Sequence, residues 1–346
     1  MSTNTSTNGN IVIAGAPAIP GLTFRRFRGE ADYPAMVAVI AGSKEADQIE
    51  RTESVEEIAL QYRHLINSDP EQDMLFAEID GQVVGYGRVW WEQEENGPRR
   101  YFQLNQLLPQ WRGNGLRRAM LDYCEGRLQE IAGGHPANGP RVFEAWAADT
   151  ETHWESLLVE AGYQVVRYGL TMTRPDLENI PDLPLPDGLE VRPVRPDQYR
   201  QVWEAANEAF RDHWGYTEEE WAEENYRHWV EHPTFQPGLW QVAWAGDQVA
   251  GMVQNFIDEE ENQEYGRKRG WTEGICVRRP YRRRGLAKAL IARSFRVLKE
   301  QGMTEAALGC DAENINGAVH LYRSMGFQPI KKHIGYRKPM HQGGAK

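Results

Sequence analysis

The sequence predicts an α/β protein of two tandem domains, each a mixed, mostly antiparallel sheet flanked by helices. The chain has 346 residues, more than one hydrophobic core usually organises. Near its middle, Arg174-Pro-Asp-Leu-Glu-Asn-Ile-Pro-Asp-Leu-Pro-Leu-Pro-Asp-Gly188 places four prolines where neither helix nor central strand can run. On either side of that stretch four landmarks recur in the same order at a nearly constant offset, as a divergent internal repeat does. The expected organisation is a flexible tail over 1–21, a first domain over 22–173, a linker over 174–188, a second domain over 189–340 and a short tail over 341–346.

Each domain opens on an alternating strand, Leu22-Thr-Phe-Arg25 and Leu189-Glu-Val-Arg192, that enters a helix-rich stretch with room for two helices. Asp80-Gly-Gln-Val-Val-Gly85 and Gly246-Asp-Gln-Val-Ala-Gly251 then read as hairpin turns, because Asp-Gly and Gly-Asp tolerate positive φ. They join Met74 to Ile79 with Val83 to Trp91, and Leu239 to Ala245 with Val249 to Ile257. A further strand ends near Val277, since Pro280 forbids its continuation, and an amphipathic helix begins at about Gly285 with Leu286, Ala289, Leu290 and Phe295 on its apolar side. Gln110-Trp-Arg-Gly-Asn-Gly115 takes the place of Arg282-Arg-Arg-Gly-Leu-Ala287 in the first half. Another strand, Ala306 to Cys310, precedes a helix closing at Met325-Gly-Phe327, matched by Ala161-Gly-Tyr163, and a final strand or hairpin completes each domain.

Composition narrows the function. Lys plus Arg number 39 against 50 Asp plus Glu, a net charge of −11, which argues against nucleic-acid or anionic-membrane partners and mildly favours cationic ones such as amines. Three scattered cysteines form neither a disulfide framework nor a zinc site, so a reducing, cytoplasmic compartment is expected. The nine histidines show no metal-ligand spacing, and the twelve tryptophans suit packing better than base stacking. Residues 1–20, rich in Ser, Thr, Asn and Gly with one short apolar run from Ile11 to Ala16, lack the pattern of a signal peptide. No run of about 18 apolar residues occurs, and no sequence feature sets an oligomeric state.

Chemistry concentrates after the strand ending at Val277. Gly285 and Ala287 remove side-chain bulk where a ligand would need to approach backbone, and the unpaired amides of the following helix read either as a cradle for pyrophosphate or, for the string taken alone, as part of a basic helix cap. Arg282-x-x-Gly285-x-Ala287 after a strand is similar to the acyl-CoA signature of the GNAT superfamily of N-acetyltransferases. Asn314-Ile-Asn316-Gly-Ala318-Val-His-Leu321-Tyr322-Arg-Ser-Met-Gly326-Phe327 resembles that family's second cofactor segment.

The resemblance implies a splayed strand pair whose exposed edge binds the pantetheine arm like an added strand. Cys276 and Val277 would hold pantetheine, Arg282, Arg283, Arg284, Gly285, Leu286, Ala287 and Lys288 would wrap the pyrophosphate through main-chain amides, and Asn316 would also bind acetyl-CoA. Tyr322 would protonate the departing thiolate. Where some members of the family carry a catalytic glutamate this sequence has Trp271; Glu273, two residues on and on the same strand face, is the candidate base, with a structural ion-pair role as the alternative. The acidic run Asp258 to Glu264 reads either as an attractor of cationic amines or as a solvated loop. His213 and Trp214 border the acceptor region or pack in the core, and Cys276 as a covalent nucleophile runs against the family's direct transfer.

In the first half, Gln110, Gly113 and Gly115 form a candidate second cofactor site, but alignment sets Leu158 against Tyr322, Thr152 against Asn316, Tyr101 against Glu273 and Arg99 against Trp271. That half therefore reads as degenerate. Tandem GNAT chains with one working half occur, and the arrangement is similar to mycothiol synthase. The expected activity is direct transfer of an acetyl group from acetyl-CoA to the amine of a small molecule, without a metal; the alternative is an acetyl-CoA-binding sensor without turnover.

Overall fold

The structure is a computed structural model that describes residues 10–314 and 316–340. The tail expected over 341–346, and the first nine residues of the one expected over 1–21, lie outside the described residues. The chain divides into two compact units. One combines the chain up to Val166 with Thr217–His228 and the stretch from Ile334; the other combines Arg167–Tyr216 with Trp229–His333.

The first unit runs β1 (Asn10–Ile11), β2 (Leu22–Arg25), α1 (Tyr33–Asp47), α2 (Val55–Arg63), α3 (Pro70–Asp73), β3 (Met74–Ile79), β4 (Gln82–Gln93), β5 (Arg99–Leu107), α4 (Leu116–Gly133), β6 (Arg141–Ala148) and α5 (Thr152–Glu160). Its strands lie side by side from β1 to β6, followed by residues 334–339. Pairing is antiparallel from β1 to β5 and parallel between β5 and β6. Asp80 and Gly81, both at positive φ, make the β3–β4 turn. Ser54 opens α2 with a capping box: its hydroxyl accepts the Glu57 amide while the Glu57 carboxylate takes the Ser54 amide.

The part of the N-terminal stretch that is described is not a loose tail. Asn10 and Ile11 pair with Arg25 and Phe24, and Ile11 and Ile13 bury against Leu107 and Leu116. The short apolar run that composition set aside has enough surface to bury to become an edge strand.

The second unit takes residues 167–174 of β7 (Gln164–Arg174), then β8 (Glu190–Val191), α6 (Tyr199–Phe210), the end of α7 (Glu223–Glu231), β9 (Gln241–Ala245), β10 (Gln248–Phe256), α8 (Glu259–Glu264), β11 (Arg269–Val277), α9 (Leu286–Glu300), β12 (Glu305–Asp311), α10 (Ala318–Ser324) and the start of β13 (Gln328–Pro339). The strand order is β8-β9-β10-β11-β12-β7, antiparallel except for β11 beside β12. One face of α9 packs Leu286, Leu290, Ile291, Phe295 and Leu298 into the core.

Two features depart from a simple halving at the linker. Each unit draws a strand from the other half of the sequence: β7 pairs with β12 from Arg174–Ala306 to Gly169–Asp311, and residues 334–339 belong to the first unit. Period-2 patterning says that a segment is a strand without saying which sheet takes it. Here ion pairs select the partner, Arg167 with Asp311 at 2.6 Å and Arg337 with Glu144 at 2.7 Å. The proline-rich stretch is also no free linker, because Leu177, Ile180, Leu183 and Leu185 pack on the core of the second unit.

Candidate active site

The site grows from a fork in the second sheet. β11 and β12 pair in parallel only from Arg269–Glu305 to Trp271–Ala307, after which the Thr272 hydroxyl donates to the Ala307 carbonyl at 3.0 Å. Beyond it the Glu273 carboxylate accepts the Gly309 amide at 2.7 Å, spanning the opening strands. On its other side β11 carries one residue more than β10 between the pairs Gln254–Glu273 and Met252–Cys276. The extra residue makes a bulge at Gly274, whose φ is +57°. From Glu273 to Val277 the edge of β11 that faces the fork has no ladder partner among the described residues.

Pro280 then stops the strand, and Arg283 (φ 60°) and Gly285 (φ 86°) take left-handed conformations that turn the chain into α9. No side chain caps α9, so its first amides face the space beside the fork. A Cβ on Gly285 would meet no atom within 4 Å. The Arg282 guanidinium does not point at that space: it donates to the Val277 carbonyl (2.9 Å), Asp212 (2.8 Å) and the Ala209 carbonyl (3.1 Å). Arg279 pairs with Asp212, and Arg284 donates to the Asp187 carbonyl. Arg282 and Arg283 both line the cavity, but the Arg282 side chain, like those of Arg279 and Arg284, also holds the loop in shape.

A cavity of about 430 Å³ collects most of the predicted residues: Cys276, Val277, Arg282, Arg283, Gly285, Leu286, Ala287, Lys288, Asn316 and Tyr322. Arg284 and Glu273 are not on its wall. His213 and Ile275 line it without having been assigned to it. Cys276 is buried, which pushes its thiol up to about 12, so it stays protonated and is no nucleophile. Burial likewise pushes the Tyr322 hydroxyl well above its ordinary value, helped by the fields of Cys310, Glu273 and Cys276. Burial also raises the half-buried Glu273 carboxyl to about 7, against the opposing pull of the Gly309 amide. Glu273 and Tyr322 therefore sit close enough to sense one another's charge. Two members of the acidic run serve the local structure: Asp258 caps α8 through the Glu261 amide, and Glu261 pairs with Arg267 and takes the Trp271 indole N–H at 3.0 Å, while Glu259, Glu260 and Glu264 are exposed. Among the described residues no cluster of His, Cys, Asp and Glu is placed to hold a metal.

The matching region of the first unit is built alike but carries different side chains. Arg112 donates to Asp47 at 2.6 and 2.7 Å and to the Leu107 carbonyl at 3.2 Å, as Arg282 does to Asp212 and Val277. Gly115 begins α4 at φ 87° as Gly285 begins α9 at 86°. Arg112, not Gln110, is therefore the counterpart of Arg282, and Arg117 that of Ala287. The same correction applies along the strand: Arg88 pairs with Leu104 and Trp90 with Phe102 where Gln254 pairs with Glu273 and Phe256 with Trp271. Leu104 and Phe102, rather than Tyr101 and Arg99, face those positions.

In this unit the cradle amides are used internally. Gly113 donates to His153 Nε2 and Leu116 to Asn114 Oδ1, both at 3.2 Å. Arg117, buried, donates to the Asn105 carbonyl at 2.6 Å and lies 4.4 Å over the Trp154 ring. His153 and Trp154 stand where the second unit has Gly317 and Ala318, counting from Gly162 and Gly326.

A forked sheet feeding an uncapped helix is what the second unit has in common with one class of acyltransferase, the GNAT superfamily. The model of the Acetyltransferase (GNAT) family matches residues 200–327. More particularly, the chain is similar over nearly its whole length to tandem GNAT N-acetyltransferases. It is 26% identical over 312 residues to the mycothiol acetyltransferase of Geodermatophilus obscurus, covering 89% of this chain and 94% of that one, and 28% identical to that of Salinispora arenicola over 78% and 82% of the two chains. Among solved structures, a GCN5-related N-acetyltransferase from Sphaerobacter thermophilus superposes with a TM-score of 0.70 at 26% identity over 95% and 98% of the chains. A tandem GNAT protein from the clavulanic acid biosynthesis pathway shares the fold, with a TM-score of 0.65 at 14% identity over 93% and 99%.

Proposed function

We propose that the second unit transfers an acetyl group from acetyl-CoA directly to the amine of a small molecule. The observation that carries this reading is the uncapped start of α9 opening on a cavity that ends at Tyr322. The residues fit the donor: amides of Gly285, Leu286, Ala287 and Lys288 would hold pyrophosphate with Arg283 beside them, the free edge of β11 at Cys276 and Val277 would pair with the pantetheine arm, and Asn316 would close over it. Bound acetyl-CoA would supply a thioester activated towards nucleophiles.

Holding the amine beside the donor supplies much of the rate. Glu273, with its carboxyl near neutrality, takes the proton that the amine loses. Tyr322 carries no hydroxyl hydrogen bond among the described residues, so its O–H is available to the sulfur that leaves. The first unit, with Arg117, His153 and Trp154 in the equivalent space, is read as holding no donor, so Gln110, Gly113 and Gly115 form no second cofactor site. Calorimetry of the full chain should then show one acetyl-CoA per chain, and thiol release should appear on adding an acceptor. The amine precursor of mycothiol is the first acceptor to try, given the relatives. Two molecules bound per chain, or binding without release across a broad amine panel, would overturn this assignment.

A further inference from the structure

The first unit contains a cavity of about 190 Å³ that acyl transfer does not use. It lies between the turn after α2, the outer half of β4 and residues 219–228, all within that unit. At this size, below the roughly 300 Å³ of drug-sized pockets, it suits a small metabolite. β4 presents Arg88, Trp90 and Glu92 to one face, as alternate residues of a strand do.

Arg88 resembles Arg117 in being a buried arginine with unmatched donors, but it differs in lining a cavity. It is 6% exposed, and its guanidinium carbon stands 5.1 Å from the Tyr62 ring and 5.2 Å from that of Trp90. Its Nε and Nη1 have no hydrogen-bond acceptor among the described residues. Buried donors are normally matched, and an unmatched pair on a buried cation is costly unless something entering the site completes it. The neighbouring carboxylates do not do so: Glu92 is bound to Arg100 at 2.7 Å and to the Trp90 indole at 3.2 Å, and Glu53 acts on Arg88 only through its field. At the rim Glu220 is exposed, and its carboxylate makes no hydrogen bond to the described residues.

Position adds to chemistry. Arg88 corresponds to Gln254, the residue paired with Glu273 in the second unit, and so stands on the side from which an acceptor amine would reach the base if that reading of Glu273 is right. The first unit, read above as holding no donor, retains an opening on that side.

We propose that this cavity binds a small α-amino acid or closely similar zwitterion, with its carboxylate on Arg88, its ammonium on Glu220 and its carbon skeleton against Trp90. The ligand is recognised and not acetylated there, since no donor cradle is open beside it.

The test uses the full chain. The twenty common amino acids, each with its decarboxylated amine and its deaminated acid, are screened by thermal shift, and hits are measured by calorimetry. At least one amino acid should bind saturably, its decarboxylated amine at least tenfold more weakly. Arg88→Met should weaken that binding at least tenfold while acetyl-CoA still binds the second unit. Glu220→Gln, at the rim and with no carboxylate hydrogen bond among the described residues to lose, should weaken the amino acid and leave its deaminated acid unaffected, so the proposal stays falsifiable should the Arg88 variant misfold. Absence of binding by every amino acid, equal binding of the decarboxylated amine, or indifference to both variants would overturn it. Binding lost on Glu273→Gln but kept in Arg88→Met would place the ligand in the second unit and overturn it as well, leaving the acyl-transfer reading intact.

Discussion

Replacing Glu273 by glutamine separates the catalytic reading of this residue from a structural one. The amide keeps an oxygen for the Gly309 N–H that the carboxylate accepts at 2.7 Å, so the fork should survive while the charge disappears. With the carboxyl at about 7, kcat/KM of the native protein should fall about tenfold per pH unit below neutrality. Glu273→Gln should lose that acidic limb and run roughly a hundred- to ten-thousand-fold slower on the plateau.

Stability should move the other way. A carboxyl raised from an ordinary 4.5 to about 7 binds its proton more tightly folded than unfolded. The folded protein therefore loses stability as pH rises from 4.5 to 7, by at most about 3 kcal/mol for that shift. Half-burial brings the expected figure to about 1–3 kcal/mol. The variant, carrying no charge to desolvate, should be more stable than the native chain by this amount at pH 8 and no different at pH 4. Two acceptors of different amine pKa, assayed across pH 5–9, with urea unfolding at pH 4 and 8, check both halves. If the limb follows the acceptor's own pKa in native protein and variant alike, with little change in rate, the amine arrives already neutral and Glu273 is not the base.

Tyr322→Phe should lower kcat roughly ten- to ten-thousand-fold with acetyl-CoA affinity nearly unchanged; an unaltered kcat, with chemistry shown to be rate-limiting, would make Tyr322 a packing residue. Gly285→Val and Gly115→Val both place a β-branched side chain at a left-handed φ and should destabilise by similar amounts, about 1–2 kcal/mol; only the first should abolish acetyl-CoA binding, and equal loss in binding assays of the two folded variants would refute the assignment of the working half. Trp154→Ala should cost about 3–5 kcal/mol in urea unfolding through loss of the ring beneath Arg117, with little change in turnover measured below the new midpoint.

Much of the site was legible because local chemistry fixes it. Asp80-Gly81 can hardly be anything but a turn, and β3 runs from Met74 to Ile79 as its pattern predicts. Pro280 and Gly285 between strand and helix mark the loop whose conformation the cradle needs. What escaped depends on contacts distant in sequence. Matching Gly113 to Gly285 sets Gln110 against Arg282, but Arg112-x-x-Gly115-Leu116 repeats Arg282-x-x-Gly285-Leu286, and the Arg112–Asp47 pair shows that this register, two residues on, is the true one. The bulge at Gly274 shifts the strand by one more residue and is invisible until β10 is laid beside β11. Arg117, near the start of a helix, reads as a surface residue, whereas the structure turns it inward over Trp154.

The exchange of strands bears on how the protein comes to be made. The first unit needs residues 334–339, which leave the ribosome only after the whole sequence of the second unit. Its sheet must wait, with β6 unpaired on that side, while later residues are still being added. Synthesis halted shortly before Ile334 would therefore do more than trim the nearer unit: it would leave an open edge on the earlier one, the kind of surface that chaperones hold and that aggregates when they do not.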